Sequence, residues 1–383
     1  MPRSLHIGRG SASELPNLVA RPGQRVAVIG GAGAAATNVA DILTRAGCST
    51  QRFTRHGEPT LESVEELVGV VAEFLPQVVV GVGGGSAIDS AKAVAALIPN
   101  RGRPLSDYFQ AGAEAPALGH DPLPCIAVPT TAGTGAEATA NAVVSIAGRK
   151  VSLRDARLVP SAAVVDADLG GGVPFGARVA AAFDAVVQLI EAYATPLGNS
   201  FSSGLAYAGA KLAFPVLERI ISGSESADDR QVMATGATLS GLALANAKLG
   251  TVHGLAGVVG GRTGQAHGSL CGLFAGPVLG TTISILRKAA SPDPALARYR
   301  DLARLCTGHP FAEAEDLAEW IGGHAMAADL PRPDIPIAVR REIATGATGA
   351  SSTAGNPVAI PVQELVGILA KVARGNVEDV NDG

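Results

Sequence analysis

The sequence is poor in cysteine, in aromatic residues and in clustered basic charge. Its four cysteines are too widely spaced for a zinc knuckle or a disulfide framework, which fits a reducing compartment: Cys48, Cys125, Cys271 and Cys306. Aromatic residues make up only 4% of the chain, so we expect no stacking platform for sugars or bases. Thirty basic and thirty-four acidic residues give a net charge of −4 without a basic block, which argues against a nucleic-acid partner or an anionic membrane surface.

Two further patterns bear on location. The stretch Met1–Arg9 carries charge and is not followed by an apolar core, so we expect no signal peptide and a cytoplasmic protein. Ser269–Leu286 has no charged residue over a length that could cross a bilayer. Because Pro277 and several glycines interrupt it, a buried helix in a large soluble domain is the better interpretation, and we expect no membrane partner.

The length of 383 residues and the apolar content of 47% suffice for two domains. In residues 1–172 apolar strand patterns alternate with helical ones. This alternation predicts an α/β domain with a parallel sheet and a ligand at the carboxyl ends of the strands. From about Pro174, segments rich in alanine and leucine have helical spacing, which predicts an all-helical second domain over residues 173–383. The predicted elements of the first domain are the strands Leu5–Gly8, Arg25–Gly30, Ser49–Phe53, Val78–Val80 and one within Pro122–Thr131, and the helices Ala35–Ala46 and Thr60–Phe74.

A glycine-rich turn, Gly81–Lys92, follows the Val78–Val80 strand and leads into a predicted helix. The first amides of a helix lack backbone partners and favour an anion, so this order of elements can bind a phosphate. Three consecutive glycines let the backbone approach such a ligand, and the next residue can cap the helix or donate to the ligand: Gly83, Gly84, Gly85 and Ser86. The spacing is neither the usual dinucleotide fingerprint nor a P-loop, and a plain strand–helix turn is the alternative.

A second loop rich in small and hydroxyl residues follows the strand in Pro122–Thr131. Its threonines Thr130, Thr131 and Thr134 are candidate donors to phosphate or ribose. The alternative is turn chemistry, in which each threonine satisfies its own backbone. Two such loops after neighbouring strands are suited to hold one dinucleotide from two sides.

The predicted helical domain contains a set of residues typical of metal ligands. Asp184, Gln188 and Glu191 are spaced to share one helix face. His253 and His267 each lie beside glycine in apolar surroundings, and a carboxylate with two imidazoles is a reasonable set for Zn²⁺ or Fe²⁺. The alternative is a pair of core histidines with a helix-surface aspartate, and Glu191 then has a structural role.

Taken together, these residues resemble the iron-containing alcohol dehydrogenase superfamily, whose members share the dehydroquinate-synthase-like fold. The resemblance covers nearly the whole chain, and the combination of motifs is specific although no single one is. The motifs are Gly83–Lys92, Pro129–Glu137, Asp166–Leu169, the Asp184 helix, the two histidines and Asn356-Pro357. In that family the metal is held by an aspartate and a histidine four apart on one helix and by two histidines fourteen apart.

The resemblance implies an NAD(P)-dependent alcohol dehydrogenase or carbonyl reductase. It implies hydride transfer between nicotinamide and a small alcohol–aldehyde or ketone pair in a cleft between the domains, with Fe²⁺ or Zn²⁺ as a Lewis acid. A homodimer is expected, with a small-molecule substrate. The implied metal ligands are Asp184, Gln188, His253 and His267, the implied catalytic residues are His253, His267 and Gln188, and the implied cofactor-binding residues are Gly31, Gly83, Gly84, Gly85, Ser86, Asp89, Thr130, Thr131, Thr134 and Lys150.

Three positions depart from the family pattern. Gln188 stands where a histidine is expected, and its neutral amide is a poor ligand for such an ion compared with imidazole. Gly257 stands where many members carry a further histidine that is a candidate proton relay. Gly31 stands where many NAD-using members carry an aspartate that would repel a 2′-phosphate, so NADP(H) is expected to be accepted besides NAD(H), with Arg55 as a candidate phosphate partner.

Two other functions of the same fold remain open. In a metal-independent reductase similar to maleylacetate reductases, Gln188 would bond the substrate and a histidine would polarise the carbonyl. A cyclising lyase resembling dehydroquinate synthase would need several basic residues for a phosphorylated sugar, and Arg262 is the nearest candidate.

Overall fold

The computed structural model describes residues 1–19, 22–109, 115–146, 149–291 and 293–374. They form two compact units, Met1–Pro174 with Ser226–Ala245, and Phe175–Glu225 with Asn246–Gly383. The first contains a parallel sheet and the second is helical, so the predicted fold class is confirmed. The predicted division at residue 172 did not anticipate that Ser226–Ala245 packs with the first unit.

The first unit is built on a six-stranded sheet in which every neighbouring pair of strands is parallel. The central strands are buried almost throughout, as expected when helices cover both faces of a parallel sheet. The strands are β1 Ser4–Ile7, β2 Arg25–Gly30, β3 Ser49–Thr54, β4 Val78–Gly83, β5 Cys125–Pro129, β6 Asn141–Ile146, β7 Arg149–Arg154 and β8 Ala162–Val165. The strand order is β1-β8-β5-β4-β2-β3, and β6 and β7 form a separate antiparallel hairpin that was not predicted.

Alternate side chains of each strand enter two separate cores. In β2, Val26 and Val28 join one core, whereas Ala27 and Ile29 join the other. This is the two-residue period of a strand buried on both faces. The helices of the first unit are α1 Leu15–Val19, α2 Ala34–Arg45, α3 Leu61–Glu73, α4 Gly85–Leu97 and α7 Ala227–Leu244. The helices that cover the sheet carry matching apolar stripes, and α3 begins at a capping box in which the Thr60 hydroxyl accepts from the Ser63 amide.

The strand order reverses direction between β2 and β4, because β3 lies on one side of β2 and β4 on the other. In a doubly wound sheet, such a reversal opens a crevice at the carboxyl ends of the strands. Gly30 pairs with Val82, and Gly83 pairs with Pro129, so the loops after β2, β4 and β5 leave the sheet along one edge. The two predicted loops, which follow β4 and β5, therefore lie at the carboxyl ends of neighbouring strands, as predicted, and their binding of a ligand stays a prediction.

Helix α7 joins the first unit through polar contacts and a close glycine contact. The Gln231 side chain accepts from the Ala167 amide and donates to the Val165 carbonyl. A Cβ on Gly241 would lie 2.3 Å from the Gly135 carbonyl oxygen, so only glycine permits this approach. Helix α7 is thereby fixed to the loop that follows β5.

The second unit consists of helices packed around α5, whose residues are buried over most of its length. Helices α6, α9 and α10 pack against it. By length and composition α9 is the one described helix that could cross a membrane, but 67% of its most apolar window is buried inside the protein, as predicted for a core helix. The helices are α5 Phe175–Ala194, α6 Ser200–Ser222, α8 Thr251–Thr263, α9 His267–Arg287, α10 Pro294–Thr307, α11 Ala314–Ala327, α12 Ile337–Thr348 and α13 Val362–Val372.

A buried lysine fastens α4 to the loop after β5. The Lys92 ammonium donates to the Ala136 carbonyl at 2.8 Å and to the Thr139 hydroxyl at 3.2 Å, and it lies 3.0 Å from the Asp89 carboxylate. Burial raises the pKa of Asp89, while Lys92 acts in the opposite direction. The Asp89 carboxylate is thus the charge partner of the buried ammonium that holds the loop.

Replacing the lysine tests this role. We expect Lys92→Met to lower the free energy of unfolding by about 3–5 kcal/mol, since it leaves a buried carboxylate without its partner. The double variant Asp89→Asn/Lys92→Met should lose less, and Lys211→Met at an exposed helix position should stay within about 0.5 kcal/mol of the parent. Urea unfolding measures all three, and an unchanged midpoint for Lys92→Met would contradict the assignment.

Candidate active site

The glycine turn places the N-terminus of α4 at the carboxyl edge of the sheet. Gly83 ends β4 with a φ of 147°, where a Cβ would lie 2.7 Å from the Ala87 Cβ. Gly84 is the N-cap residue of α4, and it has no side chain with which to cap the helix. Ser86 therefore does not act as the cap, and the first-turn amides of α4 are suited to an anion.

The two predicted loops are in direct contact. A Cβ on Gly84 would lie 3.0 Å from the Thr131 hydroxyl, and one on Gly85 would lie 2.7 Å from the Thr134 hydroxyl. The Thr130 amide also donates to the Gly83 carbonyl at 2.9 Å. Thr134 additionally accepts from the Ala136 amide at 3.2 Å, which is the turn chemistry considered as its alternative. The glycines thus allow the threonine hydroxyls to approach the helix N-terminus.

Two residues that were predicted to bind the cofactor form ion pairs within the protein. Asp89 pairs with Lys92, and the Lys150 ammonium pairs with Glu58 at 2.9 Å. A direct contact of either residue with a nucleotide stays a prediction. Sequence reasoning did not single out Lys92, although its spacing of three from Asp89 on one helix is a recognisable ion-pair signal.

Gly31 and Arg55 lie at the ends of neighbouring strands. Gly31 is exposed directly after β2, and no described heavy atom lies within 4 Å of a Cβ built on it. The Arg55 amide donates to the Gly30 carbonyl at 2.9 Å. Its guanidinium Nη2 is buried and has no hydrogen-bond partner among the described residues. This edge of the sheet therefore holds a guanidinium nitrogen able to bind an anion.

The second unit brings the predicted ligands Asp184, His253 and His267 together from three helices. The Asp184 Oδ1 atom lies 3.4 Å from His253 Nε2 and 3.9 Å from His267 Nε2. A fourth donor that sequence reasoning missed, the Cys271 Sγ, lies 3.9 Å from the same oxygen. The four ligand atoms all lie within 4.8 Å of one another. Carboxylate, imidazole and thiolate are the donors of divalent transition-metal sites, so these residues fit such an ion.

Glycines on α9 allow this convergence. A Cβ on Gly268 would lie 2.0 Å from the Ala180 carbonyl oxygen, and one on Gly272 would lie 2.9 Å from the Phe183 ring. The backbone of α9 therefore contacts α5 directly. His267 immediately precedes Gly268, and Cys271 immediately precedes Gly272, so the two side chains are four residues apart on α9. Their shared helix face points toward Asp184 because of this spacing.

Glu191 joins the predicted ligand His253 to the N-terminus of α8. Its carboxylate accepts from the Gly250 and Val252 amides, both at 2.8 Å, and Glu191 Oε2 lies 2.6 Å from His253 Nδ1. A carboxylate only accepts, so Nδ1 carries the proton, and in neutral imidazole Nε2 then presents its lone pair toward Asp184. The structural role considered for Glu191 is thus also one of orienting a ligand.

Comparison with known proteins identifies the family. A profile described as iron-containing alcohol dehydrogenase matches residues 2–167, and one described as the C-terminal region of the Fe-containing alcohol dehydrogenase family matches residues 178–373. The chain belongs to the iron-containing alcohol dehydrogenase family. The predicted resemblance is confirmed.

Curated and solved relatives agree with this assignment. The chain is 32% identical to the 1-propanol dehydrogenase PduQ of Salmonella typhimurium over 68% of its own length, an alignment that spans 64% of the relative. It is 31% identical to the NAD-dependent methanol dehydrogenase of Bacillus methanolicus, over 70% of this chain and 71% of the relative. The iron-containing alcohol dehydrogenase of Thermococcus thioreducens has the same fold, with a TM-score of 0.86, 25% identity, and coverage of 97% of this chain and 98% of that one.

This alcohol dehydrogenase family member differs from the expected pattern near the metal-ligand cluster, which consists of Asp184, His253, His267 and Cys271. Burial raises the pKa of the Asp184 carboxyl, but His253 and His267 outweigh it and lower that pKa, and a hydrogen bond from Gln188 adds to the lowering. The amide NH₂ of Gln188 is therefore the donor in its contact with Asp184. A role for Gln188 as a weak ligand stays a prediction. Around Gly257, no described heavy atom lies within 4 Å of a built Cβ. Arg262, the candidate for a phosphorylated sugar in the lyase alternative, is paired with Glu342.

In the metal-ligand cluster, the Cys271 thiol and the imidazoles shift each other's pKa values toward an ionised thiolate beside protonated histidine. Burial raises the pKa of the Cys271 thiol, but His267 and His253 outweigh it and lower that pKa below its usual value. Burial lowers the pKa of His253, but Cys271, Glu191 and Asp184 together raise it well above its usual value. A divalent cation would replace these imidazolium protons as the partner of the two acids.

The glycine contact on α9 generates a test within one helix. We expect Gly268→Ala to displace α9 from α5, destabilise the protein by at least about 2 kcal/mol and weaken zinc binding by about tenfold or more. Gly280→Ala is the matched control, since no described heavy atom lies within 4 Å of its built Cβ, and the variant should gain up to about 1 kcal/mol of helix stability. Thermal unfolding and zinc titration measure both effects. Equal behaviour of the two variants would show that the contact does not position the ligands.

Proposed function

We propose that this protein is an NAD(P)-dependent dehydrogenase of small alcohols, which also reduces the corresponding aldehydes or ketones. The observation that carries the proposal is the convergence of Asp184, His253 and His267, with Glu191 orienting one imidazole. The propanol and methanol dehydrogenases named above support a small alcohol as substrate. We further propose a cytoplasmic homodimer, for which the four free cysteines support a reducing compartment.

The residues of each unit have distinct tasks in this proposal. In the first unit, the amides that follow Gly84 bind the pyrophosphate, and Thr131 and Thr134 donate hydroxyls beside it. In the second, Asp184, His253 and His267 hold the metal ion, with Gln188 as a hydrogen-bond donor at Asp184. When bound, the nicotinamide supplies the hydride chemistry and the metal supplies Lewis acidity to the substrate oxygen.

Glu191 keeps His253 ready for this task. Its charge lies at the N-terminus of α8, where the helix dipole favours an anion. Because the same carboxylate also binds His253 Nδ1, the imidazole is held in the tautomer whose Nε2 is free to bind a cation. The ligand geometry is thereby set by the fold before a substrate arrives.

Two features support use of NADP(H) in addition to NAD(H). Gly31 supplies no carboxylate to repel a 2′-phosphate. Arg55 follows the neighbouring strand and offers a buried guanidinium nitrogen that lacks a partner among the described residues. A guanidinium nitrogen without a hydrogen-bond partner among the described residues is suited to donate to a phosphate oxygen.

Removal of a ligand tests the metal-dependent activity. We expect His267→Ala to lose most of its bound metal and about 10²-fold or more in kcat/KM for propanol, because several kcal/mol of charge stabilisation are lost. The exposed His309→Ala variant should retain both. Metal analysis and steady-state kinetics, before and after exhaustive chelation, provide the measurement. Undiminished turnover of the chelated, metal-free protein would favour the metal-independent reductase instead.

Cofactor choice is tested by restoring a carboxylate after β2. Gly31→Asp should lower kcat/KM for NADPH by about tenfold or more, equal to ~1.4 kcal/mol, and leave the value for NADH within about twofold. The open space at Gly31 accommodates the new side chain without displacing a described neighbour, and Gly172→Ala, also in open space, is the control. A parent enzyme with a clear preference for NADH over NADPH would contradict the proposal.

A further inference from the structure

Cys271 belongs to the metal-ligand cluster, but the function proposed above assigns it no role. It is fully buried, one turn after His267 on α9, and its Sγ is 3.9 Å from Asp184 Oδ1. The other three cysteines lie outside this cluster of the described residues. A thiol among two imidazoles and a carboxylate is therefore a feature of this site alone.

The size of the cluster matches a four-ligand zinc centre. Zinc binds nitrogen and oxygen at about 2.0–2.2 Å and sulfur at about 2.3 Å, so the ligand atoms of a tetrahedral site with one sulfur lie ~3.3 to 3.7 Å apart. The Asp184 Oδ1 atom lies 3.4 Å from the His253 nitrogen, and 3.9 Å from both the His267 nitrogen and the Cys271 sulfur. These three distances are close to those of a tetrahedral zinc centre, and all four ligand atoms lie within 4.8 Å of one another.

Cys271 also provides what Gln188 does not. The Gln188 amide hydrogen-bonds Asp184, and its neutral oxygen is a weaker donor than an ionised thiolate. A thiolate and one carboxylate together balance the two positive charges of a divalent ion. A neutral cluster is less costly to bury than one with a net charge.

We propose that the Cys271 thiolate is the fourth protein ligand of the metal, and that the resulting Asp–His–His–Cys set selects Zn²⁺ over Fe²⁺. Thiolate is a soft donor, which favours zinc, whereas harder carboxylate and water ligands suit less thiophilic ions. Zinc centres expand to five ligands, so four protein ligands are compatible with a substrate oxygen. The proposal rests on the metal site of the proposed function and names its ligand and its ion.

Cobalt is the probe that reports the thiolate directly. Co²⁺ added to the metal-free full-length protein should give visible d–d bands and a near-ultraviolet thiolate-to-cobalt charge-transfer band. Cys271→Ser should bind Co²⁺ without the charge-transfer band and bind Zn²⁺ at least about tenfold more weakly. Cys306→Ser is the matched control in the same unit, because its hydroxyl can keep the bond to the Ala303 carbonyl, and it should retain both signals.

The outcomes separate this proposal from the function on which it rests. If the parent binds one Co²⁺ with d–d bands but without the charge-transfer band, or if Cys271→Ser retains that band, the thiolate ligand is overturned while the metal-dependent function stands. If the parent binds no metal, both fall. Circular dichroism establishes folding of each variant, and Cys271→Ala provides a second thiol-free variant should the serine disturb the packing.

The selectivity is measured in a separate competition. Metal-free parent mixed with equal concentrations of Zn²⁺ and Fe²⁺ under anaerobic conditions should retain zinc, and Cys271→Ser should lose at least about tenfold of this preference. Retention of iron by the parent would overturn the selectivity, whatever the cobalt spectrum shows.

Discussion

The geometry of the metal-ligand cluster depends on the carboxylate of Glu191. This one group accepts from two amides at the start of α8 and binds His253 Nδ1, so it fixes a helix and a side chain at the same time. A buried carboxylate is stable only when such donors surround it. The N-terminus of α8 and the imidazole together meet this requirement. Because the α8 amides hold Glu191 in place, they also fix the direction in which His253 Nε2 points.

The first unit applies a similar principle with glycine. At Gly83, Gly84 and Gly85, absent side chains leave room for the threonines of the next loop and for the start of α4. The parallel register then sets these loops side by side, because neighbouring strands of a parallel sheet end at the same edge. In the first unit the predicted phosphate-binding loops, and in the second the predicted metal ligands, are therefore positioned by close backbone packing rather than by long side chains.

Much of this arrangement could be predicted from the sequence. The β2 strand and the spacing of Asp184 on its helix are local patterns, and both glycine and threonine loops follow recognisable strands. The hairpin of β6 and β7 was missed because its strands, although six residues long, mix polar and charged residues with the apolar ones. Cys271 was missed because single cysteines carry little signal, although its spacing of four from His267 places both on one helix face. The attachment of α7 depends on the contact of Gly135 with Gly241, which are distant in sequence and have no shared motif.

That attachment has a consequence for the order in which the protein is made. The first unit is complete only when Ala245 has been synthesised, although its sheet ends at Val165. Helices α5 and α6 of the second unit thus leave the ribosome before α7, and their apolar faces are exposed while the first unit still lacks a component. Folding of the two units during translation is consequently interleaved, and a chain ending at Pro174 would lack the helix that covers the loop after β5.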